Sequence, residues 1–416
     1  MKQMEFDVVV VGGGPAGLAA AVEASMLGVK VLVIERNSWL GGILRQCIHN
    51  GFGLKIFNED YTGPEYAQKY IDEIKNRNIE FMLESTVLNI NKENVVTVSN
   101  STGLINIKSK SIVLAMGCRE KTREQIMVCG DRPAGVYTAG LAQKYLNVDG
   151  LLPGKKIVIV GSGDIGMIMA RRFTLEGAQV KAVVELMPYM GGLIRNKVQC
   201  LEDYNIPLLF NTKITKIFGK DRVKNVEIVN MVNGKEIEST KRKLECDTII
   251  FSTGLIPENE LSECLGLEIC EKTLGPIINS SMETSKKGIF AAGNVVTPYD
   301  LVDQVTMNAM RAGKNAALFA LNNLNRKDIN IEVFSGKDVK LVVPQKIDCL
   351  QDVNIYFRSN LVSRKKDVVL IVDGRIVERK ILKIIRPSEM ESIKINSEQL
   401  RNLDGKKIKI ELVDKI

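Results

Sequence analysis

The chain has 416 residues, of which 45% are hydrophobic and 25% are charged, and its formal net charge is +8. This length predicts two or three domains with enough apolar material to form their cores. About +5 of this charge lies in residues 331–416, where charges of both signs are mixed without a dense run of Lys and Arg, so nucleic-acid binding is only weakly supported.

The amino terminus enters a strand pattern at once, in the stretch FDVVVVGGGPAGLAAAVEASMLGVKVLVIER. Its β-branched run Val8–Val11 is typical of a buried parallel strand, and Gly12, Gly14 and Gly17 follow with the spacing G-x-G-x-x-G. The first glycine permits a tight turn, the second lets the backbone approach a pyrophosphate, and the third lets the next helix pack closely. Glu35 ends the following strand, where a carboxylate can accept hydrogen bonds from ribose hydroxyls. The stretch therefore predicts a dinucleotide site.

The same pattern recurs in KKIVIVGSGDIGMIMARRFTLEGAQVKAVVEL. Here the strand Ile157–Val160 precedes Gly161, Gly163 and Gly166, and Glu185 closes the next strand. A purely structural strand–helix–strand turn is the alternative interpretation. Glu185 would repel a 2′-phosphate, and no arginine follows it directly, so the sequence favours NAD over NADP at this loop.

The carboxy-terminal part alternates apolar and polar residues, for example in KDVVLIVDGRIVERKILKII, with predicted turns at Asp373-Gly374 and Asp404-Gly405. This pattern predicts a small antiparallel β domain from about Ile331. We interpret it as a docking or oligomer surface; a simple lid over the other domains is the alternative.

The eight cysteines include no C-x-x-C pair, and His49 is the only histidine, so no metal site is predicted. The chain begins without a signal-peptide pattern, and no segment is long and apolar enough to span a bilayer. We therefore expect reduced thiols and a cytoplasmic protein.

Two such loops in one chain resemble the pyridine nucleotide–disulfide oxidoreductase superfamily of FAD- and NAD(P)-binding flavoproteins. Further matching stretches are SIVLAMGC (111–118), TIIFSTGLIPENE (248–260) and TSKKGIFAAGNVV (284–296). The resemblance implies an α/β fold of two Rossmann-like domains, the second inserted in the first, plus the small carboxy-terminal β domain. The implied boundaries are 1–120 and 276–330 for the FAD domain, 121–275 for the NAD(P) domain and 331–416 for the β domain.

The last of these stretches ends in Gly293-Asn294, where the superfamily has Gly-Asp. An asparagine can still hydrogen-bond a ribityl hydroxyl, although it removes a charge near the pyrophosphate. The resemblance also implies a helix from about Leu301 whose amino terminus faces the pyrimidine edge of the flavin. Its dipole would stabilise negative charge on the reduced flavin.

Within the superfamily, the stretches DRPAGVYTAGLAQ, GGILRQCIHNGFG and GNVVTPYDLVDQV are similar to FAD/NAD-binding subunits of glycerol-3-phosphate or amino-acid (sarcosine, opine, proline) dehydrogenases. This similarity implies that the partner is either a small-molecule substrate or an electron-transfer protein. A dehydrogenase large subunit or a small cysteine-rich carrier is an example of the latter. It also implies that the chain is an oligomer or part of a complex.

Disulfide reductases carry a redox cysteine pair just after a Leu-Gly-Gly at this place in the fold. Here Cys47 can match the second cysteine and the first is missing, so internal disulfide exchange cannot run. Cys47 is then a single redox thiol, a residue lining the flavin, or plain core. His49 is either a general acid for flavin or substrate chemistry or a structural histidine.

These observations predict an FAD-dependent oxidoreductase that exchanges a hydride with NAD(H) and passes electrons to or from a second substrate or protein. The alternatives are an accessory subunit of a dehydrogenase complex and a single-cysteine flavin peroxidase or NADH oxidase. The predicted catalytic residues are Cys47 and His49. The predicted cofactor residues are Gly12, Gly14, Pro15, Ala16, Gly17, Glu35, Arg36, Gly42, Gly117, Gly293 and Asn294 for FAD, and Gly161, Gly163, Asp164, Ile165, Gly166, Glu185 and Gly254 for NAD.

Overall fold

The computed structural model describes residues 2–324, 329–401, 403 and 406–415. The chain forms two compact units, one made of Met1–Cys118 and Pro257–Ile416 and the other of Arg119–Ile256. The second unit is therefore inserted in the first, in agreement with the predicted fold class. Within the described residues the helices are α1 (Pro15–Ser25), α2 (Gly63–Asn76), α3 (Ala139–Asn147), α4 (Asp164–Leu175), α5 (Ile194–Cys200), α6 (Glu260–Cys264), α7 (Val302–Ala320) and α8 (Ser397–Leu400).

The strands of the described residues are β1 (Lys2–Val11), β2 (Val31–Ile34), β3 (Asn50–Phe52), β4 (Tyr61–Thr62), β5 (Glu80–Met82), β6 (Thr86–Ile90), β7 (Val95–Asn100), β8 (Gly103–Leu114), β9 (Cys118–Glu120), β10 (Cys129–Gly130), β11 (Val136–Thr138), β12 (Lys156–Val160), β13 (Gln179–Val184), β14 (Leu208–Leu209), β15 (Thr212–Gly219), β16 (Val223–Val232), β17 (Lys235–Glu236), β18 (Arg242–Glu245), β19 (Thr248–Phe251), β20 (Leu255–Pro257), β21 (Ile289–Ala291), β22 (Ile331–Ser335), β23 (Val339–Val343), β24 (Lys346–Ile347), β25 (Val353–Ser359), β26 (Lys366–Val372), β27 (Arg375–Lys380), β28 (Glu391–Ile395) and β29 (Lys407–Asp414). Short 3-10 helices cover Gly42–Gln46, Glu202–Tyr204, Glu238–Thr240 and Gly293–Val295.

The main sheet of the first unit has the order β5-β2-β1-β8-β7-β6, with β21 also paired to β8. Strands β5, β2, β1, β8 and β21 pair in parallel. The runs Val8–Val11 of β1 and Val31–Ile34 of β2 are buried and rich in β-branched residues, as is typical of parallel sheets. The carboxyl ends of the parallel strands, at Val11, Ile34, Leu114 and Ala291, therefore lie at one edge of the sheet. Ligands of such sheets bind just outside this edge.

Helices α1 and α7 pack against each other in the first unit through small residues. A Cβ placed on Gly313 of α7 would lie 2.0 Å from the carbonyl oxygen of Ala20 in α1, so only glycine allows this approach. The helix predicted from about Leu301 is confirmed and begins at Val302.

The second unit repeats the arrangement with the parallel sheet β11-β19-β12-β13-β14. It also contains a sheet, β10-β15-β16-β17 with β18 on β16, that is mostly antiparallel. In the parallel sheet, β12, α4 and β13 form the strand–helix–strand unit that carries the second glycine loop. The carboxyl ends of β12 and β19, at Val160 and Phe251, are paired neighbours, so the loops that follow them meet.

The carboxy-terminal residues form the predicted β structure in two sheets, β24-β22-β29-β26-β27 and β23-β25-β28. Pairing is antiparallel except between β22 and β29. Asp373 and Gly374 both have positive φ, 48° and 77°, which confirms a turn there; the predicted turn at Asp404-Gly405 lies outside the described residues.

This β structure packs on the rest of the first unit. Leu341, Val343 and Tyr356 belong to the same hydrophobic core as β1, and Arg358 bonds the carbonyl oxygen of Pro298 and the carboxylate of Asp300. The chain thus divides into two compact units. The predicted division into three domains, with boundaries at 275 and 331, stays a prediction. None of the described helices combines the length and apolarity that a bilayer-spanning helix requires.

Candidate functional site

The first glycine loop lies at the carboxyl edge of the parallel sheet, between β1 and α1. Gly12 has φ of 110°, and a Cβ there would lie 2.4 Å from the carbonyl oxygen of Ala115, which follows β8. A Cβ on Gly17 would lie 1.8 Å from the carbonyl oxygen of Gly12. Gly14 has no such neighbour, since the nearest atom to its Cβ position is 4.0 Å away. Among the three glycines of the motif, only Gly14, which we assign to the pyrophosphate, therefore has open space at its Cβ position.

The rest of the first turn of α1 fits this arrangement. Gly14 is the N-cap, half-buried Pro15 starts the helix at a position where no N–H is needed, and Ala16 is buried. The amino-terminal end of α1 consequently presents its dipole to the open space beside Gly14.

Glu35 lies beside this loop and is nearly buried. Its carboxylate accepts hydrogen bonds from the Gly13 N–H at 2.8 Å and from the backbone and side-chain N–H groups of Asn37, each at 2.8 Å. These bonds hold the carboxylate at the edge where the predicted ribose would lie, while neighbouring Arg36 is exposed. Sequence reasoning missed Gly13 and Asn37 as the donors that orient Glu35.

The Leu40-Gly41-Gly42 turn covers the same loop. The Gly41 N–H donates to the Gly13 carbonyl oxygen at 2.8 Å, and a Cβ on Gly42 would lie 2.9 Å from the Cα of Gly14. Gly41 and Gly42 both have positive φ, 105° and 54°. The turn thus brings two glycine backbones together at the predicted phosphate position.

Two further segments reach this edge. Gly117, with φ of 76°, has no atom near its Cβ position, whereas a Cβ on Gly293 would lie 2.7 Å from the Cβ of Ala16. Two hydrogen bonds orient the amide of Asn294. Its oxygen accepts the Tyr299 N–H at 3.0 Å, and its nitrogen donates to the sulfur of Cys118 at 3.6 Å. The structure therefore brings the predicted FAD residues of three chain segments to one place.

Cys47 is buried and lies against the start of α2. Its thiol donates to the Ile43 carbonyl oxygen at 3.3 Å, its carbonyl oxygen accepts the Gly63 N–H at 2.8 Å, and burial raises the pKa of the thiol to about 12. A redox thiol needs a lowered pKa, so this environment favours the interpretation of Cys47 as core. The single-cysteine peroxidase stays an alternative prediction, and it would require a thiolate that this burial disfavours.

We expect Cys47→Ser to leave FAD binding and peroxide-dependent NADH oxidation within about twofold of the unchanged protein, because burial raises the pKa of the Cys47 thiol and disfavours the reactive thiolate. NADH consumption with and without peroxide measures the first effect. Alkylation at pH 8 should label exposed Cys129 and Cys264 and spare Cys47. Loss of peroxide-dependent turnover in the variant would show that Cys47 is a redox thiol after all.

His49 lies two residues further along the same loop and is half-buried. Its Nδ1 is 2.9 Å from the Asn50 carbonyl oxygen, so Nδ1 carries a proton and donates to that oxygen. Nε2 is buried without a partner among the described residues, and the ring packs on Phe52 at a centroid distance of 5.1 Å. Nε2 can therefore form a hydrogen bond to a ligand, and the catalytic role of His49 stays a prediction.

The second glycine loop repeats the first. Gly161 has φ of 98°, and a Cβ there would lie 2.1 Å from the Ser252 carbonyl oxygen, while a Cβ on Gly166 would lie 2.6 Å from the carbonyl oxygen of Gly161. The nearest atom to a Cβ on Gly163 is 3.9 Å away. Open space again occurs only at the second glycine of the motif.

Glu185 occupies the position of Glu35 in this repeat. Its carboxylate accepts the backbone N–H of Ser162 at 2.9 Å, the Ser162 hydroxyl at 2.6 Å and the Met187 N–H at 2.9 Å. The Ser162 hydroxyl in turn accepts the Gly191 N–H at 2.8 Å. A buried carboxylate therefore borders the second loop, and no cationic side chain of the described residues bonds to it.

Asp164 begins α4, and its carboxylate accepts the Leu193 N–H at 2.8 Å and an Asn196 amide N–H at 2.6 Å. These bonds tie the start of α4 to the segment 193–196. Ile165 is half-buried in the same turn, and Gly254 is exposed with φ of 105°. Sequence reasoning missed the Gly191-Gly192 turn, which covers this loop as Gly41-Gly42 covers the first. The signal was present, since each Gly-Gly pair follows its glutamate at the same spacing.

The residues fit dinucleotide cofactors on two observations. Both loops keep open space at the second glycine beside a helix amino terminus and an oriented carboxylate. In the first unit, buried oxygens of Asp303 and Gln304 in α7 have no partner among the described residues. No cluster of three metal-ligating side chains occurs in the part of the chain that the structure describes.

Comparisons with known proteins agree with this geometry. Residues 6–316 match the family model described as pyridine nucleotide-disulphide oxidoreductase. An opine oxidase subunit of Agrobacterium tumefaciens (strain Ach5) is 26% identical over 316 residues, covering 70% of this chain and 61% of that protein. Thioredoxin reductase of Bacillus subtilis (strain 168) is 27% identical over 294 residues, covering 70% of this chain and 86% of that protein.

Among solved structures, T. acidophilum thioredoxin reductase matches with a TM-score of 0.63 at 22% identity, covering 76% of this chain and 99% of that one. This likeness shows the fold, and it confirms the predicted pair of Rossmann-like domains. The chain spans about six tenths of the length of the two opine oxidase subunits it matches, at 61% and 58%.

Proposed function

The chain belongs to the pyridine nucleotide-disulphide oxidoreductase family, and we propose that it transfers a hydride from NADH to FAD. The electrons would then go on to a second substrate or partner protein. Enzymes of this family use FAD and NAD(P)H. The observation that carries the assignment to this chain is the repeated loop design, in which a glycine turn borders a buried carboxylate in each unit.

We assign the first loop to FAD, and the chain's own groups bind and orient it. The open space at Gly14 and the amino terminus of α1 receive the pyrophosphate, and Glu35 accepts from ribose hydroxyls. The amino-terminal end of α7 supplies positive potential toward the flavin. Bound FAD supplies the two-electron chemistry.

We assign the second loop to NADH rather than NADPH. A 2′-phosphate placed beside the Glu185 carboxylate would meet like charge at a buried position, which costs roughly 4 kcal/mol for unit charges 4 Å apart near a protein surface. The three donors to Glu185 are two N–H groups and one hydroxyl, none of them cationic. NADH offers ribose hydroxyls that can donate to the same carboxylate.

An anaerobic titration of the FAD-loaded protein with NADH and NADPH, followed by flavin absorbance, tests both assignments. We expect NADH to bleach the flavin stoichiometrically. NADPH should reach half-maximal bleaching only at a concentration at least tenfold higher, which corresponds to about 1.4 kcal/mol of binding free energy. Glu185→Ser should narrow this difference in concentration between NADPH and NADH, because it removes the negative charge. Equal titration by both nucleotides would overturn the Glu185 assignment, and a bound flavin that neither reduces would overturn the proposed function.

The name of the similar opine oxidase protein, which describes it as one subunit of that oxidase, favours a second candidate. In this candidate the chain is an FAD/NAD-binding subunit of a dehydrogenase complex. The chain alone should then oxidise NADH poorly with added acceptors and reach full turnover when co-expressed with its partner. Full turnover by the purified chain without any partner would exclude this candidate.

We also propose a cytoplasmic location. All eight cysteines are described, and no disulfide joins any two of them in the described residues. Free thiols persist in a reducing compartment. A fractionation experiment that recovers the chain outside the cytoplasm would contradict this assignment.

A further inference from the structure

Asp303 lies in the first turn of α7 and is 2% exposed. One oxygen of its carboxylate, Oδ2, accepts the Lys55 N–H at 3.3 Å. The other oxygen, Oδ1, is buried without a hydrogen-bond partner among the described residues. A carboxylate left half-satisfied in this way is costly to bury, so the missing donor needs an explanation.

The dipole of α7 offsets part of this cost, because acidic groups are stabilised in the first turn of a helix. It supplies no hydrogen bond to Oδ1. The neighbouring residue, Gln304, is 7% exposed, and its side-chain oxygen also has no partner in the described part of the chain. Two adjacent acceptors without donors indicate a ligand that brings hydroxyl or N–H groups.

The position of these acceptors relates them to the first glycine loop. A Cβ on Gly293 would lie 2.7 Å from Ala16 in the first turn of α1 and 3.3 Å from Val305 in the first turn of α7. The two helix starts therefore flank Gly293 at the carboxyl edge of the sheet. A ligand lying on the glycine loop would meet the start of α7 next to Asn294, whose amide oxygen accepts the Tyr299 N–H and whose nitrogen donates to the Cys118 sulfur.

We propose that Asp303 is a flavin-binding residue whose Oδ1 accepts a hydrogen bond from a ribityl hydroxyl or ring N–H of FAD and whose charge lowers the flavin midpoint potential. This inference rests on the proposed function. The sign follows from electrostatics: reduction adds negative charge to the flavin, and a fixed carboxylate beside it disfavours that charge. Asp303 thus opposes the effect of the α7 dipole.

The test is Asp303→Asn, which keeps the size of the side chain and an oxygen for Lys55 while removing the charge. We expect the FAD dissociation constant to rise at least tenfold, about 1.4 kcal/mol, and the midpoint potential of the bound flavin to rise. Glu283→Gln is the matched control. Glu283 is 4% exposed, and its carboxylate accepts the Gly288 N–H at 2.8 Å. Gly288 directly precedes β21, so this bond lies at the opposite edge of the same sheet from Asp303. Both quantities should stay unchanged in the control.

An unchanged dissociation constant and potential in folded Asp303→Asn would overturn the inference, and so would equal shifts in the Glu283 control. If Asp303→Asn does not fold, the smaller neutral variant Asp303→Ser provides the same two readouts. Measurements on the unchanged protein distinguish a failure of the Asp303 inference from a failure of the proposed function. Tight FAD binding and bleaching by NADH in that protein support the proposed function whatever the variants show.

Discussion

Replacing Gly14 with alanine is expected to lower FAD affinity roughly a hundredfold, about 2.7 kcal/mol, while the apoprotein stays folded. The Cβ would enter the space beside the amino terminus of α1 that the protein leaves open, with its nearest neighbour 4.0 Å away. The backbone there is extended, with φ of −78°, so alanine adds no strain. FAD fluorescence quenching measures the affinity, and thermal unfolding of the apoprotein measures the stability, which we expect to change by less than about 1 kcal/mol.

Gly28→Ala is the control for this experiment. Gly28 also has no atom near its Cβ position but has φ of 74°, so alanine there adds backbone strain far from the loop. The control should lose a little stability and no FAD affinity. Normal FAD binding by Gly14→Ala would place the pyrophosphate elsewhere and contradict the assignment of the first loop.

Gly163→Ala is expected to separate the two cofactors. The variant should bind FAD normally, while the NADH concentration needed for half-maximal flavin reduction rises roughly a hundredfold. The reason is the same as at Gly14, since φ is −66° and the nearest atom to the Cβ position is 3.9 Å away. Rapid-mixing measurements of flavin bleaching at increasing NADH concentration determine this value.

The matched control in the second unit is Gly177→Ala, which follows α4 at φ of 84° with no atom near its Cβ position. It should leave NADH affinity unchanged. Parallel loss of FAD and NADH binding in Gly163→Ala would mean that the second loop supports the fold rather than a nucleotide.

The glycine loops were predictable because their requirements are local. Each spacing fixes a tight turn and a close helix–strand contact, and the structure has both at Gly12 and Gly17. The strand predicted at Val8–Val11 is longer in the structure and begins at Lys2. The added residues form part of the strand because they pair with Ile105–Ser109 of β8, a long-range contact that no local pattern reveals.

The packing of side chains between distant segments could not be predicted. The sequence showed a β pattern from Ile331, and it did not show that Tyr356 would pack on Tyr299 or that Arg358 would bond Asp300. The Asp303 oxygen that has no partner among the described residues and the burial of Cys47 likewise depend on neighbours that are distant in sequence. Periodicity assigns elements, whereas burial and hydrogen-bond partners are set by the tertiary fold.

The proposed hydride transfer is tested most directly by anaerobic rapid mixing of the FAD-loaded protein with NADH and with NADH deuterated at the transferred position of C4. Hydride transfer to the flavin predicts that both nucleotides bleach it and that the deuterated one does so more slowly. A flavin that stays oxidised with both nucleotides would contradict the proposed function.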